Sequence, residues 1–169
     1  MVHSIELLFD GETEATIRGL WDALAAAGIP SQAPAGRPHV TLAVADRIAD
    51  EADAALRPLT ERLPVGCGVG ASLLLGRSNA ILARLVVPSA ELLEFHAEVH
   101  RLAGEHLAPA PAPTSLPGQW TPHVTLARRV GGPALSRALR IAGRPPLIEG
   151  SFAALRHWNG EKKTDHLIG

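Results

Sequence analysis

Hydrophobic and polar residues fall in short periodic runs along the chain, and the period changes from run to run. Residues 2–9 alternate loosely, as a strand does. Ile17, Leu20, Trp21 and Leu24 then recur at helical spacing in a segment that ends at Gly28. A strand at residues 38–43 comes next, then a helix predicted over residues 50–63 and a strand near residues 68–75. The same order begins again with a strand at residues 80–87, a helix capped by Ser89 with Leu92, Phe95, Val99 and Leu102 on one face, and a strand at residues 122–127. A helix over residues 133–142, bounded by Gly132 and Gly143, and a strand near residues 148–157 complete the second round.

The two rounds share more than their order. Residues 38–43 read PHVTLA, and residues 122–127 read PHVTLA again, about half a chain length later. An identical hexapeptide at that offset is what duplication of a half-length unit leaves behind. The pattern predicts an α+β protein in which residues 1–169 form a single domain of two pseudo-symmetric lobes, built on two sheets or two halves of one sheet. The natural site is the cleft between them. The proline-rich stretch at residues 108–118 reads as a stiff extended loop, either a plain connector or a rim beside the second hexapeptide.

Strand side chains two apart face the same way, so His39 and Thr41 project together, as do His123 and Thr125, while Val40 and Leu42 face the other side. Across a pseudo-twofold cleft the two imidazoles would oppose one another. That arrangement suits in-line displacement at phosphorus, where one group removes a proton from the attacking oxygen and another protonates the leaving oxygen. With an unperturbed pKa of about 6.5, imidazole serves either role near neutral pH. The threonine hydroxyls can donate to the nonbridging phosphate oxygens. Which histidine is acid and which is base stays open, and the scheme needs no metal and no cofactor.

The paired His-x-Thr motifs, in a chain of this size and duplicated order, resemble the 2H phosphoesterase superfamily, in particular the bacterial RNA 2′,3′-cyclic phosphodiesterases also called 2′-5′ RNA ligases. The resemblance spans nearly the whole chain. It implies a bilobal fold of two antiparallel sheets flanked by helices, with a central cleft lined by His39, Thr41, His123 and Thr125. The implied reaction opens a 2′,3′-cyclic phosphate on an RNA end or a nucleotide to a 2′-phosphomonoester, and 2′-5′ ligation is its reverse. The second motif runs on to Arg128, similar to the family's usual run ending in arginine, which implies a phosphate or substrate contact there. The first motif departs from a common family form, because Val44 and Ala45 stand where an aromatic residue often follows. Trp120 and Trp158 are candidates for an aromatic wall or for the core, and Arg37, Arg77 and Arg156 for cleft cations or surface charges.

Composition narrows the partner. A net charge of −1, from 16 Lys plus Arg against 17 Asp plus Glu, excludes the broad basic field that binds long nucleic acid backbones. With 4% aromatic residues and no Tyr, an extended stacking platform for many bases is excluded as well. An RNA terminus or a cyclic nucleotide fits better than a long strand. The 46% apolar content supports a real core, no apolar run is long enough to cross a bilayer, and the acidic N-terminal residues are unlike a secretory signal. A cytoplasmic monomer with no membrane partner is the expectation.

The remaining candidates are weaker. His96 and His100 stand four apart on a predicted helix, a spacing compatible with a transition metal, but the expectation is ordinary helix-surface histidines. His3, His157 and His166 lie in or near predicted strands, with nothing in their spacing to assign them. There is no G-x-S-x-G elbow and no phosphate-cradling G-x-x-x-x-G-K-[ST] loop. Cys67, the single cysteine, excludes an internal disulfide and reads as a buried small hydrophobe.

Overall fold

The structure, a computed structural model, describes residues 2–31 and 36–169. Its elements run β1 (His3–Phe9), α1 (Gly11–Ala26), β2 (His39–Ala45), β3 (Arg47–Ile48), α2 (Glu51–Leu56), β4 (Val65–Leu75), β5 (Ala80–Val86), α3 (Ala90–Ala103), β6 (Leu107–Ala108), β7 (His123–Val130), α4 (Gly132–Ala142), β8 (Ile148–Asn159) and β9 (Thr164–Ile168). The fold is α+β and antiparallel, as predicted. Hydrogen bonding follows the path β2-β1-β8-β4-β5-β7, with β9 added to β8 and a separate β3-β6 ribbon. The twelve-residue β8 joins the halves: β1 runs along residues 152–159, β4 pairs with residues 148–152, and β9 with residues 155–159.

The two ends of this path, β2 and β7, approach one another. Ser31 forms a bridge to Ala127, and the Arg128 amide donates to the Pro30 carbonyl at 3.3 Å. The strands that carry the two hexapeptides are therefore brought together although they lie at opposite ends of the ladder. Helix α1 packs against β7, β8 and α4, and α3 against β2 and β4. Ile5, Leu7, Ile17, Leu24, Val40, Leu42, Val99, Val124 and Leu126 are fully buried in the resulting core.

Local signals explain the helix limits. Asp10 caps α1 by accepting from the Thr13 amide at 2.8 Å, and Gly28 follows the helix in the left-handed region at φ 77°. Ser89 caps α3 as predicted, accepting from the Leu92 amide at 3.1 Å. The single helix predicted over residues 50–63 is instead α2 followed by 3-10 turns at Arg57–Arg62. Pro58 is the reason, since it has no amide hydrogen and its ring crowds the preceding turn of an α-helix. Strand β9 escaped the sequence reading altogether.

One buried cation fixes the second half. Arg84, on β5, is fully buried and donates to the carbonyls of Ala142 and Pro145 at 2.7 Å, Pro146 at 3.0 Å, Val69 at 3.2 Å, and also Gly70. It thereby ties the end of α4 and the following loop to the sheet. Carbonyl dipoles, including one at the negative end of a helix, take the place of a carboxylate.

Candidate active site

Both hexapeptides position their histidine by the same device. His39 Nδ1 lies 2.8 Å from the Arg37 carbonyl, and His123 Nδ1 lies 2.7 Å from the Thr121 carbonyl. A carbonyl only accepts, so each Nδ1 carries the hydrogen and each neutral ring keeps Nε2 as its acceptor nitrogen. Pro38 and Pro122 intervene, each fixing its own φ and holding the residue before it extended. The local sequence thus sets both ring orientation and tautomer.

Both strands also carry a β-bulge at the same letter of the motif. Opposite β1 the register steps from Ile5–Ala43 to Glu6–Thr41, leaving Leu42 as the extra residue. Opposite β5 it steps from Leu82–Ala127 to Ala83–Thr125, leaving Leu126. The bulge breaks strict alternation, so the Leu and Ala of each motif are both fully buried while His and Thr stay half-buried at the surface. The extra residue's backbone then seeks partners outside the ladder. The Leu42 carbonyl accepts from His96 Nε2 at 3.0 Å and His100 Nε2 at 2.9 Å.

His96 is therefore a correction to the expected helix-surface histidine: it is buried, and its Nε2 also donates to the Ser115 carbonyl at 2.8 Å. Burial, reinforced by the charge of His100, pushes its pKa down to about 4, so the ring is neutral and its Nε2–H is available to both carbonyls. Trp120 stacks on it with ring centroids 3.8 Å apart and donates Nε1–H to the Thr41 carbonyl at 3.0 Å. Trp21 repeats that bond in the other half, donating to the Thr125 carbonyl at 3.1 Å. An indole thus braces the backbone of each motif threonine.

The side chains of the two motifs interleave. His39 lines a narrow hollow with Thr125, Arg128 and Trp21. His123 lines a cavity of about 390 Å³ with Thr41, Gln119, Trp120 and Thr114. A third concavity, of about 480 Å³, shares His39, Thr41 and Arg128 and extends over Ser4, Glu6, Arg156 and Trp158. Each histidine thus shares a hollow with the threonine of the other motif, and all four motif residues and Arg128 border this adjoining system. The proline-rich stretch contributes Thr114 and Ser115, which makes it a rim and not only a connector.

The cations differ in availability. Arg156 is buried and paired with Glu6, at 2.7 Å from Nε and 2.5 Å from Nη2 to Oε2. Arg37 pairs with Glu14 at 2.8 Å. Arg128 is exposed and makes no ion pair with any described residue, which leaves its charge free for an anion. Arg77 lines none of these hollows and is a surface residue of the β4–β5 turn. A roomier concavity of about 640 Å³ lies at the start of α1, but Asp10, Glu12 and Glu149 line it and would repel a phosphate. Cys67 is half-buried, and burial followed by the charge of Asp10 pushes its thiol up to about 12, so it stays protonated and unreactive.

A sequence profile of the 2′-5′ RNA ligase superfamily matches residues 11–163. The chain belongs to that superfamily. Solved structures agree on the fold: TT0787 of Thermus thermophilus, at 15% identity, a TM-score of 0.63 and coverage of 100% of this chain and 96% of that one; E. coli LigT complexed with 3′-AMP, at 14%, 0.61, 98% and 91%; and the MHV ns2 PDE domain, at 15%, 0.58, 99% and 97%. No protein of curated function matches the sequence. Membership in this superfamily of phosphoesterases supports an enzyme with phosphodiesterase or RNA ligase-like activity. No helix among the described residues is long and apolar enough to cross a membrane.

Sequence reasoning did not find the Glu6–Arg156 pair. Its signal was present, because Ser4 and Glu6, two apart on β1, put two polar side chains on one face of a strand whose residues 7–9 are all apolar. Ser4 Oγ donates to Glu6 Oε1 at 2.7 Å, and that same oxygen stands 3.5 Å from His39 Nε2. The partner arginine is distant in sequence, so only the β1–β8 register, which sets Glu6 opposite Arg156, reveals it.

Proposed function

We propose that this protein opens the 2′,3′-cyclic phosphate of an RNA end or nucleotide to a 2′-phosphomonoester, with His39 and His123 as its acid and base and no metal in the reaction. The observation that carries the reading is the matched pair of imidazoles. Each is held through Nδ1, each presents Nε2, and each shares a hollow with the threonine of the other motif.

In the proposed step, the basic Nε2 takes a proton from water as its oxygen attacks phosphorus. The P–O3′ bond breaks on the far side, and the other imidazolium gives its proton to the leaving 3′-oxygen. Thr41 and Thr125 donate hydrogen bonds to the nonbridging oxygens as charge accumulates, and Arg128 supplies the unpaired cation that draws in the phosphate. A nucleotide-sized substrate agrees with the 3′-AMP and uridine monophosphate named for the solved structures of E. coli LigT and Kluyveromyces marxianus Usb1. Two lobes acting as one unit, in a monomer, complete the proposal.

The test is incubation of purified protein with 2′,3′-cyclic nucleotides and a cyclic-ended oligonucleotide in excess chelator, with products resolved by chromatography. Appearance of the 2′-monoester is expected. The reading fails if nothing turns over, or if turnover survives replacement of both histidines. Ligation of 5′-hydroxyl and cyclic phosphate ends is the same chemistry reversed. A nucleotide-binding module without turnover is the alternative class, recognised by ligand binding that His39→Ala leaves intact in a protein that never reacts.

A further inference from the structure

Successive residues of β8 serve opposite faces of the sheet. Arg156 and Trp158 line the concavity beside His39, whereas His157, between them, points to the other face. There it meets two more histidines in a row across three strands. His166 on β9 stands directly opposite it, with ring centroids 5.1 Å apart, and His3 on β1 lies diagonally beside it at 5.8 Å. Helix α2, which packs near β9, brings Asp53 to this row. Its Oδ1 is 2.8 Å from His157 Nδ1, and its Oδ2 meets His166 Nε2 in a very close contact.

We propose that Asp53, His157 and His166 form a binding site for one divalent ion of the zinc class, separate from the phosphate cleft. One ligand atom from each residue lies within 4.8 Å of the others, and no other such trio of His, Cys, Asp or Glu occurs among the described residues. An ion with bonds of about 2.0–2.2 Å needs its ligand atoms only roughly 3.3 Å apart, so small side-chain rotations close the shell. Two imidazoles and a carboxylate favour Zn²⁺, Co²⁺ or Ni²⁺ over the all-oxygen preference of Mg²⁺ or Ca²⁺. The side chain of His166 is 53% exposed, which gives the ion an entrance and a water its fourth position.

A second observation points to a bound species. His157 is 2% exposed and its Nε2 has no hydrogen-bond partner, while the buried His3 ring packs beside it with centroids 5.8 Å apart. Buried polar atoms without partners are rare, and they require a reason. An ion on His157 Nδ1 supplies it, because metal ligation obliges Nε2 to carry the hydrogen and makes the adjacent His3 ring its natural acceptor. His3 is then a positioning residue behind the ligand. The ion would clamp β9 and α2 onto β8 on the reverse side of Arg156 and Trp158.

This inference does not depend on the proposed reaction, and its test reads metal binding directly. Full-length protein without an affinity tag, stripped by chelator, is titrated with Zn²⁺ by calorimetry and with Co²⁺ by visible absorption. One equivalent should bind, the Co²⁺ bands should be those of a four-coordinate site, and Zn²⁺ should raise the Tm. Asp53→Asn and His166→Ala should each weaken uptake at least tenfold. The latter changes a half-exposed side chain on an edge strand and should leave the fold in place. His100→Ala should bind as the parent does. Absence of stoichiometric uptake of Zn²⁺, Co²⁺ and Ni²⁺, or uptake unchanged in either ligand variant, overturns the site.

Discussion

Strands β2 and β7 begin with the same five residues after the same proline and share the same bulge, the same Nδ1 anchor and the same indole brace, yet they stand in different surroundings. Around His39 are a buried carboxylate, its arginine partner and the unpaired Arg128. Around His123 the cavity is lined by Thr114, Ser115, Gln119, Trp120 and Thr121, with no charged side chain. The comparison teaches that a duplicated motif fixes what the two histidines have in common, ring orientation and tautomer. What distinguishes them comes from neighbours that were not duplicated.

Four measurements would break or sharpen that contrast. The largest effect should come from His39→Ala and His123→Ala, each lowering kcat/KM by about 10²–10⁴. The residual pH profiles separate the roles: loss of the base removes the acidic limb, and loss of the acid removes the alkaline limb. Identical residual profiles would mean that the surroundings do not differentiate the two rings.

Next is Arg156→Met, which leaves the Glu6 carboxylate, 4% exposed, without its counter-charge. A stability loss of about 3–5 kcal/mol in urea denaturation is expected. The double variant Glu6→Gln with Arg156→Met should recover much of it, because no buried charge is then left uncompensated; Asp165, which also loses its 3.4 Å contact with Arg156, is exposed to water. Equal losses in the single and double variants would show that packing, not charge, holds this side of the cleft.

Third is the acid dependence contributed by His96, which braces β2 but has no counterpart behind β7 among the described residues. Its folded pKa of about 4 lies below the usual histidine value of about 6.5. Between those values the unfolded chain binds more protons, so stability falls as pH drops from about 6.5 to 4, with a slope of at most about 1.4 kcal/mol per pH unit. His96→Gln should flatten that part of a stability-versus-pH curve. An unchanged slope would remove His96 from the account.

The smallest effect compares the helix caps of the two halves. Asp10 accepts from Thr13 and also from the Ser151 amide at 2.7 Å and its hydroxyl at 3.1 Å, whereas Ser89 only caps its own helix. Asp10→Ala should cost about 1–2 kcal/mol and Ser89→Ala about 1 kcal/mol or less, by thermal or urea unfolding. The hydrogen bond from the Thr13 amide leads in holding the Asp10 carboxyl down to about 2. Its contribution is present above the ordinary carboxylate pKa, about 4, and is lost as pH falls through 2. Gly150 belongs to this joint, since a Cβ there would run into Thr13 and the Asp10 carboxylate.

Much of this was legible in the sequence because the relevant forces are local. Period-two and helical spacing located β1, α1, α3 and α4, Ser89 announced its cap, and the repeated PHVTLA carried both histidines, both threonines and the family. Even the tautomer is a local matter, as each imidazole bonds a carbonyl two residues away across a proline. The break of α2 at Pro58 was equally local and was simply overridden by the helical pattern around it.

Tertiary structure decided what depends on register and on the approach of distant strands. No spacing rule pairs Glu6 with Arg156, brings Asp53 to His157, or puts the ends of the strand ladder side by side. Those contacts exist because β8 is long enough to serve both halves and because bulges at Leu42 and Leu126 shift which residues face the core. A chain's own periodicity specifies faces and turns within a few residues. Which faces meet is set only when hydrogen-bond ladders and the buried core close together, over separations that sequence pattern does not encode.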